Sequence, residues 1–108
     1  MPGSSFMGEV AVVGERELVL GFRLLGIVDA FPAEDVQAVE KFKELYEAGK
    51  HSFIMLSENV RKHMDGKTMD LVNTSTTPLV VFVPLPGGSE EESIEKFAKR
   101  VLGVEIGR

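Results

Sequence analysis

Residues 14–27 read Gly14-Glu15-Arg16-Glu17-Leu18-Val19-Leu20-Gly21-Phe22-Arg23-Leu24-Leu25-Gly26-Ile27, and they directly follow the apolar run Val10-Ala11-Val12-Val13. This order gives an apolar run, a glycine, an amphipathic segment, a second glycine and then further apolar residues. Such an order is typical of a buried strand that turns into a helix and then enters a second strand. We therefore expect the domain to open with a βαβ unit.

Four short apolar runs are predicted to form the strands, at residues 10–13, 27–31, 53–56 and 79–83. The runs are rich in branched and aromatic side chains. Continuous apolarity, instead of alternation, is typical of strands in a sheet that is covered on both faces. The sequence therefore predicts a parallel sheet with helices packed on each side.

Segments with helical spacing separate these runs and follow the last one. Residues 34–48 open with acidic residues and are followed by Gly49, a preferred C-cap, so they predict a helix. Ser89 and Glu92 have capping-box spacing, and an apolar stripe follows them up to Gly103, which predicts a last helix.

A weaker helix is expected to begin near Ser57 and to carry Val60, His63 and Met64. The stretch Asp65-Gly66-Lys67 is expected to interrupt or end it, and residues 73–78 are expected to form a polar loop.

The predicted fold class is α/β, a small open wound sandwich with a four-stranded parallel sheet, helices on both faces, and a C-terminal helix and tail. A chain of 108 residues has the size of one domain. We expect residues 1–8 to be a flexible leader and residues 9–88 to form a Rossmann-like α/β domain. Residues 89–108 are expected to form the C-terminal helix and tail, whose mobility the sequence leaves open.

Composition excludes several classes of function. Twelve basic against seventeen acidic residues give a net charge of −5, so nucleic acid and anionic membrane surfaces are poor partners. Cysteine is absent, which removes disulfides, thiolate metal sites and thiol nucleophiles. No apolar stretch reaches the roughly 20 residues that cross a bilayer. We expect a soluble cytoplasmic protein that does not insert into the membrane.

Ligands of wound α/β folds bind beyond the carboxyl ends of the strands, and the loops there are chemically poor in this chain. Neither the Gly-x-Gly-x-x-Gly fingerprint nor a P-loop is present. A response-regulator-like phosphoreceiver is the main alternative, with Glu15 and Glu58 as a partial acidic site. That chemistry also needs an aspartate nucleophile and a lysine, and residues 84–88 contain no lysine.

The remaining polar candidates have plainer interpretations. His51 and His63 are expected to be surface or partly packed side chains, and no cluster of His, Asp and Glu has metal-ligand spacing. We therefore expect no metal, no cofactor and no catalytic residue. Residues 73–77 and 84–88 could bind an anion or a ligand through hydroxyls and amides, but a solvated loop and a rigid turn explain them.

Several of these segments together resemble the F subunit of the archaeal and vacuolar-type rotary ATPases. The resemblance rests on residues 10–13, on Gly-Phe-Arg-Leu-Leu-Gly-Ile at 21–27, on the proline-bracketed strand at 78–84 and on Val-Leu-Gly-Val-Glu-Ile at 101–106. It implies an N-terminal four-stranded α/β domain and a mobile C-terminal segment. Residues 61–77 do not align with the family pattern.

The resemblance also implies a function. Members of this family bind the coiled coil of the D subunit in the central rotor shaft, contact the A/B catalytic headpiece transiently, and do not hydrolyse ATP. This chain would then couple ATP synthesis or hydrolysis to proton or sodium ion transport. A small ligand-binding α/β domain of the same fold is a further alternative.

The expected partner contacts combine the family's use of its C-terminal end with the apolar stripe of the last helix. Such a stripe more often packs into the core than onto a partner, and this is the favoured interpretation for Ile94, Phe97 and Val101, whereas a partner could cover the tail beyond Gly103. Arg100 is a candidate polar anchor. The expected contacts to the coiled coil are Phe97, Arg100, Val101, Leu102, Val104 and Ile106.

Overall fold

The computed structural model describes residues 9–85. Strands and helices alternate along this part of the chain. The predicted leader, last helix and tail lie outside the described residues. The elements are β1 (Val10–Gly14), α1 (Arg16–Leu24), β2 (Asp29–Pro32), α2 (Asp35–Ala48), β3 (Phe53–Ser57), a 3₁₀ helix (Glu58–His63), α3 (Gly66–Thr74) and β4 (Leu79–Val83).

The four strands form one parallel sheet in the order β2-β1-β3-β4. Val12 in β1 lies opposite Ala30 of β2 on one side and opposite Met55 of β3 on the other. The predicted four-stranded parallel sheet is therefore confirmed. The chain leaves β1 toward one edge of the sheet and leaves β3 toward the other, which makes the β1–β3 boundary the topological switch point.

Apolar side chains cover both faces of the sheet, as the continuous apolar runs predict. On one face Leu18 and Phe22 of α1 pack against a cluster that includes Val10, Val12 and Met55. On the opposite face α2, the 3₁₀ helix and α3 cover the alternate side chains of the strands, and that cluster includes Ala11, Val13, Phe42, Ile54 and Leu56.

Helix α1 ends in a Schellman motif, which shifts the start of β2. The N–H of Gly26 donates to the carbonyl of Arg23 at 2.9 Å, and the N–H of Ile27 donates to the carbonyl of Phe22 at 3.2 Å. Gly26 has φ of 103°, a conformation that glycine adopts without strain. Ile27 is consequently a buried capping residue, and β2 begins at Asp29 instead of at residue 27.

The expectation of a single weak helix after β3 is wrong, because two helices occupy this region. The carboxylate of Asp65 accepts a hydrogen bond from the N–H of Thr68 at 2.8 Å and so acts as the N-cap of α3. Asp65 therefore starts a new helix where the sequence indicated only an interruption. Since α3 continues to Thr74, the polar loop begins at Ser75 and not at residue 73.

Gly14, the last residue of β1, lies between Leu18 of α1 and Ser57 of β3. A Cβ atom at this position would lie 2.9 Å from Leu18 Cδ2 and 2.9 Å from Ser57 Cβ, and both neighbours are fully buried. Because neither neighbour is free to move away, Gly14→Ala is expected to lower the free energy of unfolding by about 1–3 kcal/mol, measured by urea denaturation.

Gly66→Ala is the matched control for this substitution. A Cβ atom at Gly66, the first residue of α3, would meet nothing within 4 Å, so its stability should stay equal to wild type or rise slightly. Equal stability of the two variants would show that Gly14 is not a steric requirement.

Candidate functional site

The carboxyl ends of β1 and β3 meet at the switch point, where ligands bind in folds of this kind. Here the two strand ends are joined to each other by side chains. Asn59 Nδ2 donates to Glu15 Oε2 at 2.7 Å, and the N–H of Asn59 donates to Ser57 Oγ at 3.2 Å. A side-chain hydrogen bond therefore links the two strand ends across the switch point.

Glu15 is partly buried at this junction. Burial raises the pKa of Glu15, but the hydrogen bonds from Asn59 and Ser57 favour its ionised form and outweigh burial, so the pKa lies below its usual range. Its second oxygen, Oε1, is buried and has no hydrogen-bond partner among residues 9–85. Glu15 thus acts here as a hydrogen-bond acceptor that joins two loops.

The two glutamates considered for an acidic site do not pair. Glu58 turns to Arg61, with its Oε2 3.7 Å from Arg61 Nε, and both side chains are exposed. Ser57, the last residue of β3, is fully buried and serves as the N-cap of the 3₁₀ helix. Over the described part of the chain, no group of three or more His, Asp or Glu side chains could hold a metal ion. These positions give the phosphoreceiver alternative no support.

The hydrogen bonds to Glu15 predict a dependence of stability on pH. Because the pKa of Glu15 is lower in the folded state than its ordinary value of 4.5, ionised Glu15 stabilises the fold above that value. This stabilisation is lost as the pH falls through 4.5 toward the folded-state pKa. Glu15→Gln should therefore show a shallower loss of stability than wild type between about pH 5 and pH 3, measured by urea denaturation at each pH.

Glu17→Gln is the control for the loss of one negative charge near the same end of α1, since Glu17 is exposed. Its stability profile should follow that of wild type. If Glu15→Gln and wild type have the same slope, the ionised form of Glu15 does not stabilise the fold.

The two histidines form structural links, His51 at the amino ends of the strands and His63 at their carboxyl ends. His51 is 7% exposed, more buried than expected, and its Nε2 lies 2.6 Å from Asp29 Oδ2. This pair joins the start of β2 to the residues before β3. His63 Nε2 lies 3.1 Å from Asp35 Oδ1, which joins the 3₁₀ helix to the start of α2.

The hydroxyls at the end of α3 and in the polar loop after it bond to the local backbone. Thr74 Oγ1 donates to the carbonyl of Asp70 at 2.8 Å, and Ser75 Oγ donates to the carbonyl of Pro78. These hydroxyls serve local structure, as the plainer interpretation expects. Of residues 84–88, only Pro84 and Leu85 are among the described residues.

The outer side of α1 is a surface that the sequence analysis missed. Leu20 is 54% exposed and Leu24 is 64% exposed, and Val28 beyond the helix is 79% exposed. The sequence does contain the signal: Leu18 and Phe22 define the buried side, and a residue two positions later on a helix points roughly the opposite way. Leu20 and Leu24 therefore lie on the outer side.

A cavity of about 330 Å³ lies between this side of α1 and β2. Arg23 Nη2 donates to the carbonyl of Ala30 in β2 at 2.8 Å, which fixes one of the lining guanidinium groups. The lining thus combines apolar side chains with positive charge, on a chain whose net charge is −5. The lining residues are Arg16, Val19, Leu20, Arg23 and Pro32.

The partner contacts predicted from the sequence all lie outside the described residues. They stay predictions. Within residues 9–85, every helix is too short or too polar to span a bilayer.

These features define a class of protein: a wound α/β domain in which a side-chain hydrogen bond links two strand ends, and whose first helix exposes apolar residues beside arginines. Exposed apolar side chains grouped with polar ones are typical of proteins that bind other proteins.

Comparison with known proteins identifies the family. The model of the ATP synthase (F/14-kDa) subunit matches residues 10–101. The F subunit of the A-type ATP synthase of Thermoplasma volcanium is 51% identical over 98 residues, covering 91% of this chain and 94% of the relative. Its counterpart in Thermoplasma acidophilum is 50% identical with the same coverage. The chain therefore belongs to the family of F subunits of A/V-type ATP synthases.

A solved structure agrees with the fold. The crystal structure of the F subunit of the V-type ATP synthase of Archaeoglobus fulgidus matches with a TM-score of 0.64 at 19% identity, covering 70% of this chain and 96% of that chain. The resemblance noted in the sequence and the α/β fold class are both confirmed.

Proposed function

We propose that this chain is a non-catalytic subunit of the central stalk of an A/V-type ATP synthase. It binds the coiled-coil D subunit of the shaft, contacts the A/B headpiece transiently, and couples ATP synthesis or hydrolysis to proton or sodium ion transport. The observation that carries the proposal is the family match over residues 10–101, which includes the segments that resemble the F subunit. We propose no cofactor and no nucleic-acid partner, because the sequence lacks the nucleotide-binding motifs and has a net charge of −5.

The arrangement of the described domain supports a mechanical role. Strands β1 and β3 are buried between helices on both faces, and apolar side chains fill both layers. Close-packed interiors deform little under load. The domain can therefore move as one body with the shaft, which is what transmission of torque requires of a rotor component.

The crevice at the switch point supports the same proposal. Glu15 Oε2 accepts from Asn59 there and Ser57 Oγ accepts from the N–H of Asn59, so the chain's own side chains connect the ends of β1 and β3. We place this chain in the cytoplasm, peripheral to the membrane as part of the complex.

Contact with the D subunit is proposed to involve the C-terminal segment, through its apolar stripe and Arg100. Charge also favours a protein partner, since a chain with net charge −5 is repelled by nucleic acid and by anionic lipid. The contact residues proposed in this segment are Phe97, Arg100, Val101, Leu102, Val104 and Ile106.

Rotation of this chain relative to the headpiece tests the proposal. The chain has no cysteine, so Glu47→Cys at an exposed position of α2 provides a single thiol for attaching a probe. In a reconstituted complex with an immobilised headpiece, a probe on this chain should rotate when ATP is added. A probe that stays fixed, while a probe on the D subunit rotates, would contradict membership of the rotor.

A further inference from the structure

The exposed side of α1 and the exposed residue beyond its final turn form a surface that we name the α1 stripe and define as Arg16, Leu20, Leu24 and Val28. The first three residues are spaced four apart on the helix, so they lie about 6 Å from one another along its axis. Val28 follows the Schellman turn and is 79% exposed. Three apolar side chains that are more than half exposed thus lie on α1 and shortly beyond its end.

Positive charge accompanies this surface. Arg16 and Arg23 both line the cavity beside the stripe. Neither arginine forms an ion pair with a carboxylate within the described portion of the chain. Arg23 uses one N–H on the carbonyl of Ala30, which leaves four further donors on its guanidinium group. An anionic group is the natural complement of such a cavity.

The edge of the sheet beside the cavity is closed to another strand. The carbonyl of Ala30 accepts from Arg23, and the N–H of Ala30 donates to the carbonyl of Val28 at 3.0 Å. Pro32 has no N–H to offer. Because an added strand needs free backbone groups along the edge, β-strand addition at β2 is excluded. A helix, which brings only side chains, can still dock.

We propose that the α1 stripe is a docking surface for an acidic amphipathic helix of the shaft partner. The apolar side chains of the partner helix pack between those of Leu20, Leu24 and Val28. One carboxylate of the partner helix enters the cavity between Arg16 and Arg23. Apolar residues four apart on both helices allow ridges to pack into grooves. This inference rests on the proposed function, and it adds a contact surface in the described domain to the one proposed in the C-terminal segment.

The test is calorimetric titration of the full chain into the purified coiled-coil shaft protein of the same genome. The double variant Leu20→Asp with Leu24→Asp should weaken binding at least about tenfold, since it places two charges in an apolar contact. Arg16→Glu should also weaken binding, because it removes one side of the carboxylate site. All three positions are exposed, so the variants are expected to fold, and circular dichroism checks this.

Val36→Asp is the matched control. Val36 is 57% exposed on α2, which covers the opposite face of the sheet, and the substitution makes the same apolar-to-acidic change there. It should bind as wild type does. The milder pair Leu20→Ala with Leu24→Ala should reproduce the direction of the effect if the aspartates disturb the helix.

The outcomes separate this inference from the proposed function. If wild type does not bind the shaft protein, the proposed function fails. If wild type binds and the leucine variants bind equally well, the proposed function stands and the α1 stripe is not the docking surface. If the leucine variants lose affinity and Arg16→Glu does not, the carboxylate contact is overturned.

Discussion

Phe22→Ala is expected to lower the free energy of unfolding by about 3–5 kcal/mol. Phe22 is fully buried in the α1 layer and packs in the cluster with Val10, Val12 and Met55. Its carbonyl also accepts the N–H of Ile27 in the turn that ends α1. Removing the ring therefore leaves a cavity at the point where α1 is held to the sheet, and the rigid neighbours cannot fill it.

Leu24→Ala, two residues further along the same helix, is the control. The Leu24 side chain is 64% exposed, so the free energy of unfolding should fall by no more than about 0.5 kcal/mol. Urea denaturation followed by circular dichroism measures both. Since Phe22→Ala could remove most of the stability of a domain of this size, Phe22→Leu provides a smaller truncation at the same site. Equal losses of unfolding free energy in Phe22→Ala and Leu24→Ala would contradict the assignment of Phe22 to the buried side of α1 and of Leu24 to its exposed side.

The double variant Phe97→Ala with Val101→Ala is expected to weaken binding to the shaft protein about a hundredfold. The two residues are four apart on the predicted last helix, so they lie on one side of it. A loss of about 1.4 kcal/mol for each of two large apolar side chains at the centre of an interface gives about 2.8 kcal/mol together, which corresponds to this factor. Calorimetry with the full chain measures the affinity.

Glu95→Ala is the control in the same segment, because it removes a charged side chain outside the apolar stripe. Its affinity should remain close to that of wild type. The melting temperature of the double variant is measured in parallel. If that temperature falls and the affinity does not change, Phe97 and Val101 belong to the core of the monomer and the contact assignment is wrong.

The sheet could be predicted from the sequence because its determinants are local. Continuous apolar runs identified all four strands, and the glycines at 26 and 49 marked helix ends that the structure confirms. The start of β2 was missed because an apolar Ile27 suits both the first residue of a buried strand and the buried capping residue of α1. Only the hydrogen bond to Phe22 shows that it caps α1 instead of beginning the strand.

The region after β3 was harder to predict because Asp65-Gly66 has two interpretations. The same residues that end one helix can cap another, and the bond from the N–H of Thr68 to Asp65 decides between them. Propensity alone also places Asn73 and Thr74 in a loop. In the structure Thr74 Oγ1 instead donates to the carbonyl of Asp70 within the last turn of α3.

The side-chain links could not be predicted, because they depend on strand order. Glu15 and Asn59 are 44 residues apart, and Asp29 and His51 are 22 apart. No spacing in the sequence brings them together until β1 is known to lie between β2 and β3. The exposed leucines of α1, in contrast, follow from helical periodicity once the buried side is known. The contacts proposed in the C-terminal segment stay predictions.

Titration of the full wild-type chain into the coiled-coil shaft protein of the same genome, by calorimetry and size exclusion, tests the rotor assignment most directly. We expect one-to-one binding with a Kd below about 1 µM and co-elution of the two chains. Separate elution with no heat of binding at that concentration would contradict the assignment.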